Sequence, residues 1–223
     1  MDILIKFPTR GRPQKFREQF GRYYQMLSNQ IDTQFVISMD VDDTTMNNPQ
    51  MKRFLDGHNN QRKIVHYHYG LSRTKIQAIN ADMDKYPEYK IVLLASDDMM
   101  PVEHGYDKII YDDMMKYYLD LDGVLHYNDG RVGKRLNTLS IMGIKMYERF
   151  GYIYHPAYTS LWCDNEFDDV TRALNKSTYI DRCIIKHEWV QFTGRDALHK
   201  KNEAFYDADQ KIYMDRKRRG FPK

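Results

Sequence analysis

The run Ile91-Val92-Leu93-Leu94 is apolar at every position and leads through Ala95 into Ser96, Asp97 and Asp98. A strand with apolar side chains on both faces needs cover on both, so it belongs inside a sheet with layers above and below. The rest of the first 126 residues supplies those layers. Ile3 to Phe7 reads as a short buried strand, closed by the breaker run Pro8-Thr9-Arg10-Gly11-Arg12-Pro13. Phe16, Phe20, Tyr23, Tyr24 and Leu27 then mark one face of a helix. Phe35 to Met39 is a second strand, followed by the acidic loop Asp40-Val41-Asp42-Asp43. Ile64 to Tyr69 is a third. Ser72 then stands where a helix N-cap belongs, and Ile76, Ile79 and Met83 form an apolar stripe. A helix through Ile109, Ile110, Met114 and Tyr117 follows, then a strand near Gly123 to His126.

Strands alternating with helices predict an α/β fold with a mainly parallel sheet and helices on both faces. Ligands on such sheets bind beyond the carboxyl ends of the strands. Three strands end in polar clusters: Thr9 to Arg12, Asp40 to Asp43, and Ser96 to Asp98. All three are expected to gather along one edge.

The pattern loosens after about residue 128. A polar loop, Asn128 to Leu136, precedes Leu139 to Gly143, the aromatic run Tyr147 to Tyr158, and Trp162-Cys163-Asp164-Asn165-Glu166-Phe167. A strand from Tyr179 to Ile185 is expected to lead to His187. The segment Asn202 to Arg219 reads as a helix with Phe205, Ala208 and Ile212 as its apolar side, ending in Arg216-Lys217-Arg218-Arg219. No repeat or linker interrupts the chain, so one domain spanning residues 1–223 with a C-terminal elaboration is expected.

Composition narrows the classes. A chain of 223 residues with 42% hydrophobic and 29% charged residues can bury a core. A net charge of +3 does not by itself argue for nucleic acid and is compatible with an anionic ligand. No apolar stretch approaches the roughly 20 residues of a membrane helix. The first 13 residues carry no signal-peptide pattern. Two cysteines, Cys163 and Cys183, with no CxxC, point to core positions in a reducing, cytoplasmic compartment and away from a cysteine zinc site.

Two adjacent like charges at the end of a buried strand need compensation. Asp97 and Asp98 could hold Mg2+ or Mn2+ bridging to phosphate oxygens, or form a solvated turn before Pro101. His187 could complete such a site. Thr9, Arg10 and Arg12, where a strand turns into a helix, suit a diphosphate or the polar edge of a base, and Lys75 could add a phosphate contact. The Asp40 loop is no EF-hand, because Thr45 and Met51 stand where Gly and Glu are required. The GxGxxG fingerprint is also missing. Hydrogen bonding to a nucleoside remains, or a phosphatase-like D-x-D-x-T at Asp40, Asp42 and Thr44. Asp164 and Glu166 are candidate catalytic carboxylates able to take a proton from a hydroxyl. With Asp168, Glu166 is equally readable as a helix-start acid.

The order of these segments resembles the nucleotide-diphospho-sugar glycosyltransferases of the GT-A fold, closest to the family 2 type. The resemblance rests on Phe7 to Pro13, Asp40, Gly70 to Asn80, Leu93-Leu94-Ala95-Ser96-Asp97-Asp98, Asp164 to Phe167, and His187. It implies a nucleotide-sugar donor, such as a UDP-sugar, in residues 1–126, and an acceptor in residues 127–223. Pro8, Thr9, Arg10, Arg12, Asp40, Asp42, Ser72, Lys75, Asn80 and Asp97 would line the nucleotide. Asp97, Asp98 and His187 would hold Mn2+ or Mg2+. Asp164 would be the base of an inverting transfer, and Tyr152, Tyr154 and Tyr158 would stack on a saccharide acceptor. Ala95 replaces the first acid of the family's D-x-D, and Cys163 the acid before its base. Two rivals are a haloacid-dehalogenase-like phosphatase using Asp40, and a nucleotide- or nucleic-acid-binding module using Arg216 to Arg219. The latter would merge with the first reading if the acceptor were modified DNA.

Overall fold

The computed structural model describes residues 1–60, 63–188 and 197–222. The chain alternates β1 (Ile3–Pro8), α1 (Pro13–Gln25), β2 (Thr33–Asp40), α2 (Pro49–His58), β3 (Ile64–Gly70), α3 (Lys75–Asn80) and β4 (Ile91–Leu94). It continues with β5 (Met99–Pro101), α4 (Tyr106–Tyr117), β6 (Val124–Tyr127), β7 (Ile141–Gly143) and α5 (Ile144–Phe150). Then come α6 (Cys163–Ala173), β8 (Ser177–Ile180), β9 (Ile185–His187), α7 (Ala197–Glu203) and α8 (Tyr206–Arg218).

The large sheet has the order β3-β2-β1-β4-β7-β6-β8. β1 to β4 run parallel, with Ile5 beside both Phe35 and Leu93. β7 is antiparallel to both its neighbours, and β8 is parallel to β6. The mainly parallel sheet flanked by helices is therefore as expected. Alternation along each strand divides the core. Ile3, Ile5, Phe7, Ile91 and Leu93 pack with α1, α2 and α4. Leu4, Val92 and Leu94 face α3, α5, α6 and α8. Ile91 to Leu94 is thus covered on both sides. No helix among the described residues is long and apolar enough to cross a membrane.

Local chemistry explains most boundaries. Pro13 opens α1, whose Phe16, Phe20 and Tyr23 are buried one turn apart. α2 lies where the sequence pattern marked no element: Asn48 caps it by accepting from the Met51 amide (2.9 Å), and Met51 and Leu55 anchor it. The cap of α3 is Thr74, which accepts from the Gln77 amide (3.1 Å), not Ser72. The strand expected over Tyr179 to Ile185 is two strands. At Asp181, whose carboxylate takes the Asn128 amide and Tyr179 hydroxyl, the chain leaves the large sheet. It then pairs β9 with β5 in a two-stranded ribbon that sets His187 opposite Met99.

The C-terminal segment also departs from expectation. The helix breaks at Ala204 and Phe205, and α8 turns Asp209, Tyr213 and Arg216 inward while Ala208 is exposed. Its most buried positions are mainly polar, while of the expected apolar side Ile212 packs partly buried on the core and Ala208 is exposed.

Lys6 is fully buried in β1 on the α3 side. Its ammonium donates to the Ser38 hydroxyl and the Ala81 carbonyl. Burial lowers its pKa to about 8, against a partial pull upward from Asp82. The folded chain thus binds this proton less tightly than the unfolded chain, where it titrates near 10.5. Below about 8 both states are protonated and the burial penalty acts in full. Lys6 alone is expected to contribute about 3 kcal/mol of rising stability as pH climbs through that window, while buried tyrosines with raised pKa values act in the opposite sense near its top. Urea unfolding at steps across the window should show a wild-type minus Lys6→Met difference that grows by that amount; parallel curves would refute it.

Candidate active site

The three polar clusters meet at the carboxyl ends of β1, β2 and β4. Arg10 Nη1 donates to Asp40 Oδ2 (2.5 Å) and Asp42 Oδ1 (2.7 Å), and its Nη2 to Asp42 Oδ2 (3.0 Å). These two acids hold the Arg10 guanidinium firmly protonated. The other oxygen of buried Asp40 accepts the Ser72 amide (2.8 Å). With both oxygens occupied, Asp40 is not presented as a phosphatase nucleophile, and Thr44 is exposed. Asp43 stitches the loops together through the Gly11 amide (2.6 Å) and Thr45 hydroxyl (2.6 Å). Gly11 has φ +69°, which favours glycine at this turn. Pro8 is half-buried; Thr9 is buried, and its hydroxyl has no hydrogen-bond partner among the described residues.

The adjacent acids of β4's tip are compensated separately. Arg12 Nη1 donates to Asp97 Oδ1 (2.8 Å), both side chains being about nine-tenths buried. Burial raises the Asp97 pKa, with Arg12 opposing the rise. Asp98 accepts from the Ser96 hydroxyl and lies 3.8 Å from His187 Nε2. Burial works against its charge, but His187, Lys75 and Ser96 outweigh it and hold the carboxyl well below the usual range. Asp97 and Asp98 therefore face different partners, and the expected set Asp97, Asp98, His187 does not close into one cluster. Among the described residues no group of three or more His, Cys, Asp or Glu side chains could hold a metal. Asp98 and His187 alone offer one carboxylate and one imidazole, a donor pair that suits Mn2+ if ligand oxygens supply the remaining positions.

Behind His187 stands Asp129, a residue the sequence pattern passed over as loop. Its Oδ1 accepts the amides of Arg131, Val132 and Gly133 (2.8–3.1 Å), and Oδ2 the Thr138 hydroxyl (2.9 Å). Oδ2 lies 4.0 Å from His187 Nδ1. The signal available in sequence was the turn Asn128-Asp129-Gly130.

Asp164 stands in the first turn of α6, after Trp162 at φ +62°. Burial raises its pKa, while the Lys75 charge and the Asn165 amide oppose the rise. Lys75, exposed at the start of α3, acts electrostatically on both Asp98 and Asp164. The Ile76 amide donates to the Thr159 carbonyl (3.4 Å), tying α3 to the segment that precedes Asp164.

Other candidates have structural partners. Buried Glu166 is held by the Arg216 fork (2.7 and 2.8 Å) and the Tyr158 hydroxyl (2.6 Å). Asp168 is buried within α6 and takes Arg172 Nε (2.9 Å). Asn80 uses its amide on the backbone of Ile153 and Tyr154. Tyr154 and Tyr158 are buried with their hydroxyls engaged, which leaves Tyr152 half-buried. In the basic run, Arg216 meets Glu166, Lys217 meets Asp169, and Arg218 and Arg219 meet Asp215. Arg216 is buried, whereas Lys217, Arg218 and Arg219 stay largely exposed.

No protein-family model and no curated protein sequence matches the chain. Solved structures do. TarS 1-349 of S. aureus in complex with UDP-GlcNAc aligns at TM-score 0.64 and 13% identity, over 89% of this chain and 60% of that one. Mannosyltransferase PcManGT from Pyrobaculum calidifontis, in complex with GDP-Man and Mn2+, aligns at TM-score 0.64 and 12% identity, over 83% and 56%. A protein of Desulfovibrio desulfuricans G20 assigned to the nucleotide-diphospho-sugar transferases aligns at TM-score 0.53 and 13% identity, over 96% and 99%. The chain spans less than two thirds of the TarS and PcManGT chains. The fold is that of the GT-A glycosyltransferases.

Proposed function

We propose that this GT-A-fold chain is a metal-dependent glycosyltransferase that moves a sugar from a nucleoside-diphosphate donor, a UDP-sugar, to a hydroxyl of a saccharide. The observation that carries the reading is the meeting of the Arg10–Asp40 and Arg12–Asp97 pairs with Asp98, Lys75 and Asp164 at the carboxyl edge of one parallel sheet. Neighbours that bind UDP-GlcNAc or GDP-Man with Mn2+ support it.

In this reading Pro8, Thr9, Arg10, Asp40, Asp42 and Ser72 surround the nucleoside. The Thr9 hydroxyl, without a hydrogen-bond partner among the described residues, is ready for its polar edge, and Asp40 fixes Arg10 and the Ser72 amide around it. Arg12, held in place by Asp97, and Lys75 meet the diphosphate. Asp98 and His187 would hold Mn2+ or Mg2+; that ion, when bound, supplies positive charge beside the leaving diphosphate. Asp164 takes the acceptor's proton as its oxygen bonds to the anomeric carbon. The bond from that carbon to the diphosphate oxygen breaks, and its electron pair leaves with the diphosphate. Attack opposite the leaving group inverts the configuration. A raised Asp164 pKa suits a base, since it strengthens the carboxylate's proton affinity. Glu166, locked by Arg216 and Tyr158, is given a structural role. The free thiols Cys163 and Cys183 accord with a cytoplasmic setting.

A thermal-shift screen of UDP-glucose, UDP-GlcNAc and GDP-mannose, each with and without MnCl2, tests the reading. A UDP-sugar with manganese should raise Tm above either component alone. At about 100 times Kd the stabilisation is about 2.7 kcal/mol, several degrees for a chain of this size. No response to any combination would overturn it.

A further inference from the structure

The inward face of α8 carries Asp209, Tyr213 and Arg216, spaced one turn apart. Asp209 is fully buried, and its partners are three consecutive backbone amides. Its Oδ1 accepts from Thr159 (2.9 Å), and its Oδ2 from Ser160 and Leu161 (both 2.8 Å). Trp162 follows directly, in a left-handed conformation that strains a non-glycine residue and persists only when its surroundings hold it. The Trp162 ring packs against Tyr213 at 5.2 Å and Tyr206 at 5.5 Å, both from α8. Beyond Asp164 the same helix grips again: Arg216 on Glu166, and Tyr213 and Lys217 on Asp169. Asp164 thus lies between two points of attachment to one helix, and the first is bonded onward to α3 beside Lys75.

We propose that Asp209 is a positioning residue: through the Thr159–Leu161 amides it holds the Trp162 turn that aims Asp164 at the acceptor hydroxyl. This rests on the reading of Asp164 as base. A base displaced by about 1 Å loses on the order of 100-fold in rate while nucleotide binding, made by other elements, is untouched.

Asp209→Asn keeps the shape but faces three donors with an amide that accepts through one oxygen only. Hydrolysis of UDP-GlcNAc with Mn2+, water standing in for the acceptor, is measured per molecule competent to bind UDP in calorimetry. The turnover of Asp209→Asn should fall about 10- to 100-fold with UDP Kd unchanged. Arg216→Lys, which keeps charge but loses the fork, should fall in the same direction. Hydrogen exchange gives a readout free of activity: amides 159–161 and the first turn of α6 should exchange at least about tenfold faster in Asp209→Asn, with β1 and β2 unaltered. Unchanged turnover per competent molecule, or exchange accelerated uniformly through the fold, overturns the proposal. If the wild-type chain binds no UDP, the functional reading falls. Localised exchange would then still uphold the Asp209 grip on the turn, and uniform exchange would overturn it.

Discussion

Replacing Asp98 by alanine is expected to abolish manganese-dependent UDP binding and to lower sugar transfer by at least about 100- to 1,000-fold, the range lost when a charge-stabilising group is removed from an active site. The size follows from how few alternatives surround it. Asp97 is tied to Arg12 on a separate path, and His187 would be left as a single donor. The Asp98 carboxylate is held ionised by His187, Lys75 and Ser96 against the effect of burial, so it is ready for a cation without first losing a proton. Calorimetric titration of UDP with and without MnCl2 measures the effect. The metal-dependent gain should vanish in the variant, while weak metal-free binding through Arg10 and Asp40 persists. An unchanged affinity in the presence of manganese would refute the assignment.

The carboxyl edge of the sheet was legible because it is built from short-range signals. Each strand's apolar run ends where its polar cluster starts, and parallel pairing brings those ends together. What one strand end does to another was not legible. Asp97 and Asp98 are adjacent in sequence, yet one turns to Arg12 and the other toward His187, a division made by contacts 85 and 89 positions away. Asp129 was hidden for the same reason: in a polar loop nothing local distinguishes a buried carboxylate from a solvated one. The C-terminal half fared worst. Glu166 sits two residues after Asp164 but is bound by Arg216, and α8 buries Asp209 and Arg216, which apolar periodicity does not mark. α2 escaped notice because only Met51 and Leu55 of its residues are buried.

Asp164→Asn is the second large effect. Turnover should fall about 100- to 10,000-fold, the usual worth of a positioned proton acceptor, with UDP affinity retained. The pH profile carries the sharper test. Burial raises the Asp164 pKa, and only the deprotonated carboxylate can act as base. Wild-type turnover should therefore climb tenfold per pH unit below that pKa and level off above it. In Asp164→Asn that acidic limb should be absent. A variant that keeps the limb would assign it to another group and remove Asp164 from the reaction.

The dependence of α6 on α8 has a consequence for synthesis. The tips of β1, β2 and β4 are all present once residue 98 has emerged from the ribosome, and their parallel pairing needs nothing further along the chain. The turn before Asp164 gains its anchor only when residues 209 to 216 emerge, some fifty codons later by numbering. A nascent chain would therefore finish the tips of β1, β2 and β4 well before the turn at Trp162, and the last stretch of translation would fix where Asp164 stands.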